Sequence, residues 1–368
     1  MAMEIRVQDM NRTRRIDERR TDIPTRARAR GTRTSSRSWL VPAVIGGAAA
    51  AALGAMALHV RRRTQEAERR HPPIGRFVNV DGVRLHYLER GQGEPLVLIH
   101  GNGSLIQDFL ISGMVDELAK RYRVIVFDRP GFGYSSRPRR LWTPQAQAKL
   151  LHDALRWLGV ERAHVLGHSW GAMVAAAMAV DFPDFVESLV LESGYFYPTA
   201  RADVLLMSPP AIPGIGDAIR HTSAPVVSRI LLPQIYEKIF EPAPVPEHFH
   251  RRFPKELVLR PSHLRAASED VALMIPAAQS LQSRYREIVA PAVIVTGADD
   301  RIVNVSRHSA RLHRDIPGSE FVTMPGLGHM GHQLAPELVI EAVERAVHRA
   351  RRAHSSAASD GTAQARWP

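Results

Sequence analysis

Residues 163–180 read AHVLGHSWGAMVAAAMAV, an apolar segment followed at once by a run of small side chains. Its first four residues, Ala163–Leu166, predict a buried strand, and the small side chains from Ser169 to Val180 predict a helix. The turn between them reads Gly167-His168-Ser169-Trp170-Gly171. In a G-x-S-x-G sequence of this kind, the serine takes strained backbone angles and projects its hydroxyl above a sheet. The flanking glycines allow close backbone approach. Ser169 is therefore the candidate nucleophile.

A nucleophilic serine needs a base that takes its proton. The first choice downstream of Ser169 is His329, which ends the sequence PGLGH over 325–329. This glycine-rich loop follows the last predicted strand, so the imidazole can reach over the edge of the sheet. His332, three residues later, is the second choice.

The base in turn needs a carboxylate that orients it. The sequence Gly297-Ala298-Asp299-Asp300 follows a predicted strand, which places an acid at the C-terminal edge of the sheet. Asp300 is the first choice, Asp299 serves if the turn differs by one residue, and Glu192 is the third choice. The chain order Ser169, Asp300, His329 is then serine, acid, histidine.

Attack on a carbonyl creates an oxyanion, which preorganised backbone N–H groups stabilise. One donor is expected from Trp170, the residue after the nucleophile. The other is expected from the loop after the strand predicted at Leu96–Ile99, which reads HGNG over 100–103. Asn102 is the first choice for this donor, and Gly103 is the alternative.

From residue 77 onward, predicted strands alternate with predicted helices. The strands are Phe77–Val80, Arg84–Glu89, Leu96–Ile99, Arg123–Phe127, Ala163–Leu166, Ser188–Leu191, Ala292–Thr296 and Glu320–Met324. The helices are Gln107–Lys120, Pro144–Leu158, Ser169–Val180, Val305–Arg314 and Pro336 to about Arg349. This alternation predicts an α/β fold with a mostly parallel, doubly wound sheet.

The alternation stops at about Gly194. Residues 194–285 contain many prolines between short helical stretches, which indicates an inserted helical cap. The α/β core is then divided into a first part over 75–193 and a second part over 286–352. The tail over 353–368 is predicted to be disordered.

The N-terminal region predicts a single transmembrane helix over 39–60. Trp39–Leu58 contains no formal charge for twenty residues, about the length that crosses a bilayer core, and arginines lie on both sides. Residues 1–38 are predicted to be a disordered basic arm, and residues 61–74 are predicted to be a linker. A lipid bilayer is therefore an expected partner.

Two other interpretations of this segment stay open. It could be a cleavable signal with Ala55-Met56-Ala57 as the cleavage site, or an alanine-rich helix of a soluble protein. If it is an anchor, the eleven arginines of the arm favour an inside N-terminus and a catalytic body outside the cytoplasm.

Composition excludes several classes of function. The formal charge of +12 is concentrated in residues 1–70, with 16 arginines and 7 acids, while the rest carries 33 basic and 30 acidic residues. Because basic and acidic residues nearly balance over 71–368, this part of the chain is not expected to present a nucleic-acid surface. The chain has no cysteine, which excludes disulfides, thiolate metal sites and a cysteine nucleophile. No metal or organic cofactor is implied, and no oligomeric state is predicted.

Five motifs in this order resemble those of the α/β-hydrolase fold superfamily, in its lid-bearing branch of esterases, epoxide hydrolases, dehalogenases and haloperoxidase-like enzymes. They are HGNG (100–103), DRPGFGYSSRP (128–138), GHSWG (167–171), GADDRIV (297–303) and GLGHM (326–330). The resemblance covers about residues 75–350. In that family the acid lies three residues after the glycine of the GxxD segment, which favours Asp300 over Asp299.

One departure from the family separates its subfamilies. The HGN sequence and Trp170 are similar to haloalkane dehalogenases, where those side chains hold halide, but dehalogenases and epoxide hydrolases of this fold use an aspartate nucleophile. Alkylating Ser169 gives an ether that water does not cleave. The serine therefore predicts acyl chemistry on a small-molecule ester.

The leading hypothesis is a membrane-anchored serine hydrolase that cleaves a carboxylic ester or a related acyl bond. One alternative is a cofactor-free haloperoxidase or acyltransferase on the same residues. Another, from a different class, is a non-catalytic binding protein on a hydrolase scaffold.

Overall fold

The structure is a computed structural model that describes residues 40–201 and 203–364. The chain divides into two compact units, 1–49 and 50–368. In the described part of the first unit the backbone is helical from Leu40 onward. The arm predicted over 1–38 and the first residue of the predicted membrane span, Trp39, lie outside the described residues.

The strands of the second unit form one sheet. They are β1 (Arg76–Val80), β2 (Val83–Arg90), β3 (Glu94–Ile99), β4 (Tyr122–Phe127), β5 (Ala163–His168), β6 (Val186–Glu192), β7 (Ala292–Gly297) and β8 (Glu320–Met324). Their order is β1-β2-β4-β3-β5-β6-β7-β8. The β1–β2 and β2–β4 pairs are antiparallel and the other pairs are parallel. The mostly parallel α/β sheet predicted from the sequence is therefore confirmed.

Helices cover both faces of this sheet. The α-helices outside the cap are α1 (Leu40–Arg70), α2 (Ile106–Ile111), α3 (Met114–Leu118), α4 (Pro144–Trp157) and α5 (Trp170–Asp181), and after the cap α12 (Ser309–Asp315), α13 (Gly331–Leu334) and α14 (Pro336–Gln364). Neighbouring residues of β3 belong to different cores: Val97 packs with α4 and α5, and Leu98 packs with α2, α3 and α14. Both faces of the sheet are buried, as continuous apolar strands require.

The helix predicted over Gln107–Lys120 is two helices, α2 and α3. The break falls at Gly113, whose φ of 82° lies in the left-handed region. The hydroxyl of Ser112 donates to the carbonyl oxygen of Phe109 at 2.8 Å, which closes the first helix. The apolar spacing continues across the break, so periodicity alone could not locate it.

The segment between β6 and β7 is helical, and its described residues form no strand. Its helices are α6 (Asp203–Met207), α7 (Ile215–His221), α8 (Ser223–Phe240), α9 (Glu247–Arg252), α10 (Lys255–Val258) and α11 (Pro261–Leu281). Tyr236, Phe240, Phe249 and Phe253 pack in an aromatic cluster between α8 and α9. This segment forms the cap over the sheet edge.

The linker predicted over 61–74 is wrong for most of its length, because α1 continues to Arg70. Arg63 pairs with Glu66 at 2.9 Å, and Glu66 pairs with Arg70, so pairs one turn apart support the helix. Ala67 is 1% exposed and packs in the aromatic cluster of the cap. Tertiary packing therefore extends the helix beyond its apolar segment.

The C-terminal helix is also longer than predicted. The last helix was expected to end near Arg349 and the tail over 353–368 to be disordered, but α14 runs to Gln364. Residues 365–368 lie outside the described residues. Residues 354–364 are polar or small and show no apolar spacing, so hydrophobic periodicity gave no signal for a helix there.

Candidate active site

Ser169 lies at the sharp turn between β5 and α5. Its φ of 54° is in the left-handed region that side chains rarely adopt. A Cβ atom added to Gly167 would lie 2.3 Å from the carbonyl oxygen of Gly171, and one added to Gly171 would lie 2.1 Å from that of Ile99. Both flanking positions therefore require glycine, as the elbow hypothesis expects.

The structure brings the three first-choice residues together. The Nε2 atom of His329 lies 3.0 Å from the Oγ atom of Ser169, and its Nδ1 atom lies 2.8 Å from Oδ2 of Asp300. With the Nδ1 proton donated to the carboxylate, Nε2 can accept the serine proton. This geometry is the one a serine nucleophile and its base need.

Asp300 is the acid that reaches the histidine. Its other oxygen, Oδ1, accepts hydrogen bonds from the backbone N–H groups of Ile302 and Val303 at 2.8 and 2.9 Å. Burial raises the pKa of this carboxyl, but His329 and the two N–H groups outweigh burial and keep the pKa below its usual value. Asp299 instead accepts from the N–H of Gly326 at 3.1 Å and stabilises the turn.

The second-choice base and the third-choice acid pair with each other. His332 lies with Nδ1 3.1 Å from Glu192 and Nε2 3.3 Å from Asp108, and all three side chains are buried. Burial lowers the pKa of an imidazole, but the two carboxylates outweigh it and raise the pKa of His332 to about 10. His332 is therefore a fixed cation beneath the site and is unsuited to act as a base.

His168 lies between the two other histidines. Its Nε2 atom is 3.1 Å from the carbonyl oxygen of His329, to which it donates as a neutral imidazole. Burial, together with the nearby His332 cation, lowers the pKa of His168 to about 4. Its side chain therefore hydrogen-bonds to the backbone of His329 and not to Ser169.

Among the described residues, Asp108, His168 and His332 have ligand atoms within 4.8 Å of one another, close enough to hold a metal ion. A protonated His332 between two carboxylates uses the same atoms. A bound cation would have to displace that proton, so the donor set suits a buried ionic cluster better than a metal site.

The two expected oxyanion donors lie beside Ser169. Trp170 is the first residue of α5, a position whose backbone N–H has no partner within the helix. A Cβ atom on Gly101 would lie 3.1 Å from the Cβ of Ser169, so the HGNG loop approaches the nucleophile closely. Asn102 and Gly103 both line the cavity at this point, so both remain candidates for the second donor.

Arg129, for which the sequence predicted no role, supports this loop. Its Nε donates to the carbonyl oxygen of His100 at 2.8 Å, and its NH2 donates to that of Gly101 at 2.9 Å. Its NH1 pairs with Asp270 of α11 at 2.7 Å, and both side chains are fully buried. Arg129 belongs to the motif DRPGFGYSSRP, but its partner Asp270 lies 141 residues away in a segment that matches no motif.

A cavity of about 880 Å³ lies above Ser169 and His329, within the range of small-molecule sites. The cap contributes an apolar wall that includes Met207, Ile235 and Phe253. The site therefore combines a polar serine–histidine–aspartate end with an apolar chamber.

The sequence profile of the alpha/beta hydrolase fold matches residues 94–336. The chain belongs to the α/β-hydrolase family. This α/β hydrolase is 29% identical to an uncharacterized hydrolase of Bacillus subtilis over 278 residues, which cover 73% of this chain and 96% of the relative. It is 28% identical to haloalkane dehalogenase 2 of Mycobacterium tuberculosis over 289 residues, covering 74% of this chain and 94% of the relative.

Among solved structures, the α/β hydrolase is similar to a membrane phospholipase A that is described as a bacterial virulence factor. The identity is 25% and the TM-score is 0.59, with 85% of this chain and 97% of the phospholipase covered. The dehalogenase and the phospholipase are both hydrolases, and the chain is an enzyme of the same fold and class.

Proposed function

We propose that this α/β hydrolase cleaves a carboxylic ester through an acyl-enzyme on Ser169. The observation that carries the proposal is the continuous hydrogen-bonded line from Ser169 through His329 to Asp300. Two further features support the proposal. The strained backbone of Ser169 presents its hydroxyl at the turn, and the N-terminus of α5 behind it stabilises the negative charge that develops during attack.

The proposed reaction has two halves. Oγ of Ser169 bonds to the ester carbonyl carbon while Nε2 of His329 takes the hydroxyl proton. The tetrahedral oxyanion accepts hydrogen bonds from the N–H groups of Trp170 and of Asn102 or Gly103. The carbon–oxygen bond to the alcohol then breaks, and His329 returns its proton to that alcohol.

Water completes the second half. His329 takes a proton from water, the resulting hydroxide bonds to the acyl carbon, and the bond to Ser169 breaks. The serine recovers its proton from His329, and the carboxylic acid leaves. Asp300 stays ionised throughout, which its depressed pKa supports, and stabilises the transient imidazolium.

Similarity to a haloalkane dehalogenase does not favour dehalogenation here. Displacing a halide with Ser169 would leave an alkyl ether, which water does not cleave, whereas a carboxylate nucleophile would leave an ester. The side-chain amide of Asn102 also donates to the carbonyl oxygen of Ala267 in the cap, at 3.2 Å. Acyl transfer to water is the reaction that a serine can complete.

We further propose that α1 anchors the enzyme in a membrane. Residues 42–70 form the candidate span, selected by length and composition, and 6% of its apolar window is buried. The similarity to a membrane phospholipase A supports this proposal. The full-length protein is expected to stay in the membrane fraction through washes with high salt and alkaline carbonate. Release by either wash contradicts anchoring.

A fluorophosphonate probe tests the proposed chemistry, because it labels only an activated serine. We expect labelling of the wild-type enzyme and hydrolysis of p-nitrophenyl esters, and loss of both in Ser169→Ala. Ser193→Ala is the matched control, since Ser193 is also buried with a positive φ of 50° at a strand end. A folded wild-type protein that neither reacts nor hydrolyses any ester would instead support a binding function.

A further inference from the structure

Exposed apolar side chains are concentrated in two places. Most of the large ones that the described part of the chain exposes lie in α1 and in segment 206–235 of the cap. On α8 they share one side of the helix, which we call the apolar α8 face: Val226, Val227, Ile230, Leu231 and Ile235. Ile230 is 69% exposed. A contiguous patch of this kind marks an interaction surface.

The start of α8 lies beside the end of the apolar part of α1. His59, Val60 and Arg63 of α1 line a small cavity together with Val226 and Arg229 of α8. At this level the apolar sequence of α1 gives way to three consecutive arginines, which belong at the lipid headgroups when the helix spans a bilayer. The apolar α8 face therefore begins at the depth of the membrane surface.

Ion pairing and packing hold α1 against the cap at this level. Glu68 of α1 pairs with the buried Arg260 at 2.9 Å, and Ala67 is 1% exposed in the aromatic cluster. Tyr134 also donates to the backbone carbonyl of His71, just after the helix. When α1 spans the bilayer, these contacts keep the cap next to the lipid.

Two residues that line the active-site cavity are also exposed on the cap. Ile235 and Met207 line the cavity above Ser169, and they are also 37% and 41% exposed. Ile235 therefore belongs both to the apolar α8 face and to the lining of the cavity that holds Ser169. A molecule that enters past Ile235 exchanges one apolar environment for another.

We infer that the apolar α8 face inserts into the headgroup and upper acyl region of the bilayer, and that the cavity takes a lipid ester with a long acyl chain directly from the membrane. The substrate class rests on the proposed ester hydrolysis, whereas the insertion does not. Arg61 and Arg62 of α1 and Arg229 of α8 are exposed. This charge complements anionic lipid headgroups and disfavours a second copy of the same face.

Membrane insertion can be measured independently of enzyme activity. Because the chain contains no cysteine, a single introduced cysteine is the only site that a thiol-reactive label modifies. The full-length Ile230→Cys variant is labelled with the environment-sensitive fluorophore NBD and reconstituted in phosphatidylcholine–phosphatidylglycerol vesicles. Val289→Cys is the matched control. Val289 is 74% exposed just before the N-terminal end of β7, whereas the active site lies at the C-terminal ends of the strands. Spin-labelled lipid should quench the label at position 230 several-fold more than the label at 289.

Equal quenching at the two positions would overturn the insertion. Cross-linking of two Ile230→Cys copies to each other would also overturn it, because the face would then belong to a dimer. Failure of ester hydrolysis is a separate outcome: the serine probe would not react, while the quenching difference would persist.

The substrate class is tested with a double variant, Ile230→Glu with Leu231→Glu, neither of which lines the active-site cavity. Hydrolysis of a fluorescent phospholipid ester in vesicles should fall about tenfold or more, because the apolar contact with lipid is lost. Hydrolysis of soluble p-nitrophenyl acetate should be unchanged, and Val289→Glu should alter neither rate. Equal losses on both substrates, or none on the vesicle substrate, would overturn the membrane route.

Discussion

His332 donates from Nδ1 to Oε1 of Glu192 across 3.1 Å, and the pair lies in the protein interior beneath His329. Asp108 completes the cluster on the other side of the imidazole. Two histidines three positions apart thus hold opposite roles: His329 is set to exchange a proton with Ser169, and His332 keeps its proton. The difference comes from the number of carboxylates that each imidazole meets.

Substituting the two histidines should separate activity from stability. His329→Ala should lower kcat about 10³-fold or more with little change in the urea midpoint. His332→Ala should lower the free energy of unfolding by about 3–5 kcal/mol, because it leaves two carboxylates buried without their cation. The protein that stays folded should keep most of its kcat. If His332→Ala is stable but inactive, the assignment of the two roles is reversed.

The two adjacent aspartates should differ strongly in effect. Asp300→Asn should lower kcat by several orders of magnitude, since a neutral amide neither fixes the tautomer of His329 nor stabilises the imidazolium that forms on it. Asp299→Asn removes only a hydrogen bond to a turn N–H and should change kcat little. Both are measured with a p-nitrophenyl ester at saturating concentration. A larger loss in Asp299→Asn would show that the turn presents the other carboxylate in solution.

Arg129 should position the HGNG loop rather than react. Arg129→Lys lacks the planar guanidinium whose separate nitrogens donate to the carbonyl oxygens of His100 and Gly101, so we expect kcat to fall about tenfold or more with a smaller change in KM. Arg139→Lys is the control, because Arg139 forms an exposed pair with Asp217. An unchanged kcat in a folded Arg129→Lys protein would remove this role.

Acid should destabilise the fold because two buried histidines accept backbone hydrogen bonds. His100 accepts from the N–H of Arg129, and His308 accepts from that of Phe196. Burial and neighbouring arginines lower the pKa of His100 to about 3 and that of His308 to about 4. Their contribution to stability is present above pH 6.5 and is lost as pH falls toward those values.

Urea unfolding at several pH values between 7.5 and 4.5 tests this expectation. As pH falls, each of these histidines lowers the free energy of unfolding by up to about 1.4 kcal/mol per pH unit, because the unfolded chain binds a proton that the native chain does not. A free energy of unfolding that stays constant over this interval would contradict the neutral state of both residues.

The position of an N-terminal truncation should matter. A protein that starts at His71 loses the buried Val60 and Ala67 and the partner of Arg260, whereas one that starts at Leu58 keeps them. We expect the shorter protein to be less stable by about 2–3 kcal/mol in urea. Glu68→Gln in the longer protein isolates the ion pair. Equal midpoints for the two truncations would mean that 59–70 does not contribute to the fold.

Much of the fold and the placement of Ser169, Asp300 and His329 could be predicted from the sequence, because each lies in a short motif at a strand end. Parallel strands bring their C-terminal ends to one edge, so residues far apart in the chain meet there. The relation between Arg129 and Asp270 could not be predicted in this way. Asp270 lies in a cap helix whose docking depends on the folded core.

The extent of α1 shows a second limit. Hydropathy marks the apolar segment up to Leu58, and the arginines that follow look like a boundary. The helix continues because Ala67 is buried under the cap, a contact between residues far apart in the chain. Such a contact leaves no periodic signal in the residues of 61–70 themselves.

The attachment of α11 ties the cap to the core. The guanidinium of Arg129 that holds the HGNG loop also holds Asp270, and Asn102 donates to a carbonyl of the same helix. Lifting α11 from the core would therefore disassemble the oxyanion site. The oxyanion loop of the core and α11 of the cap therefore depend on the same buried guanidinium, so that side of the substrate entrance is built into the catalytic edge itself.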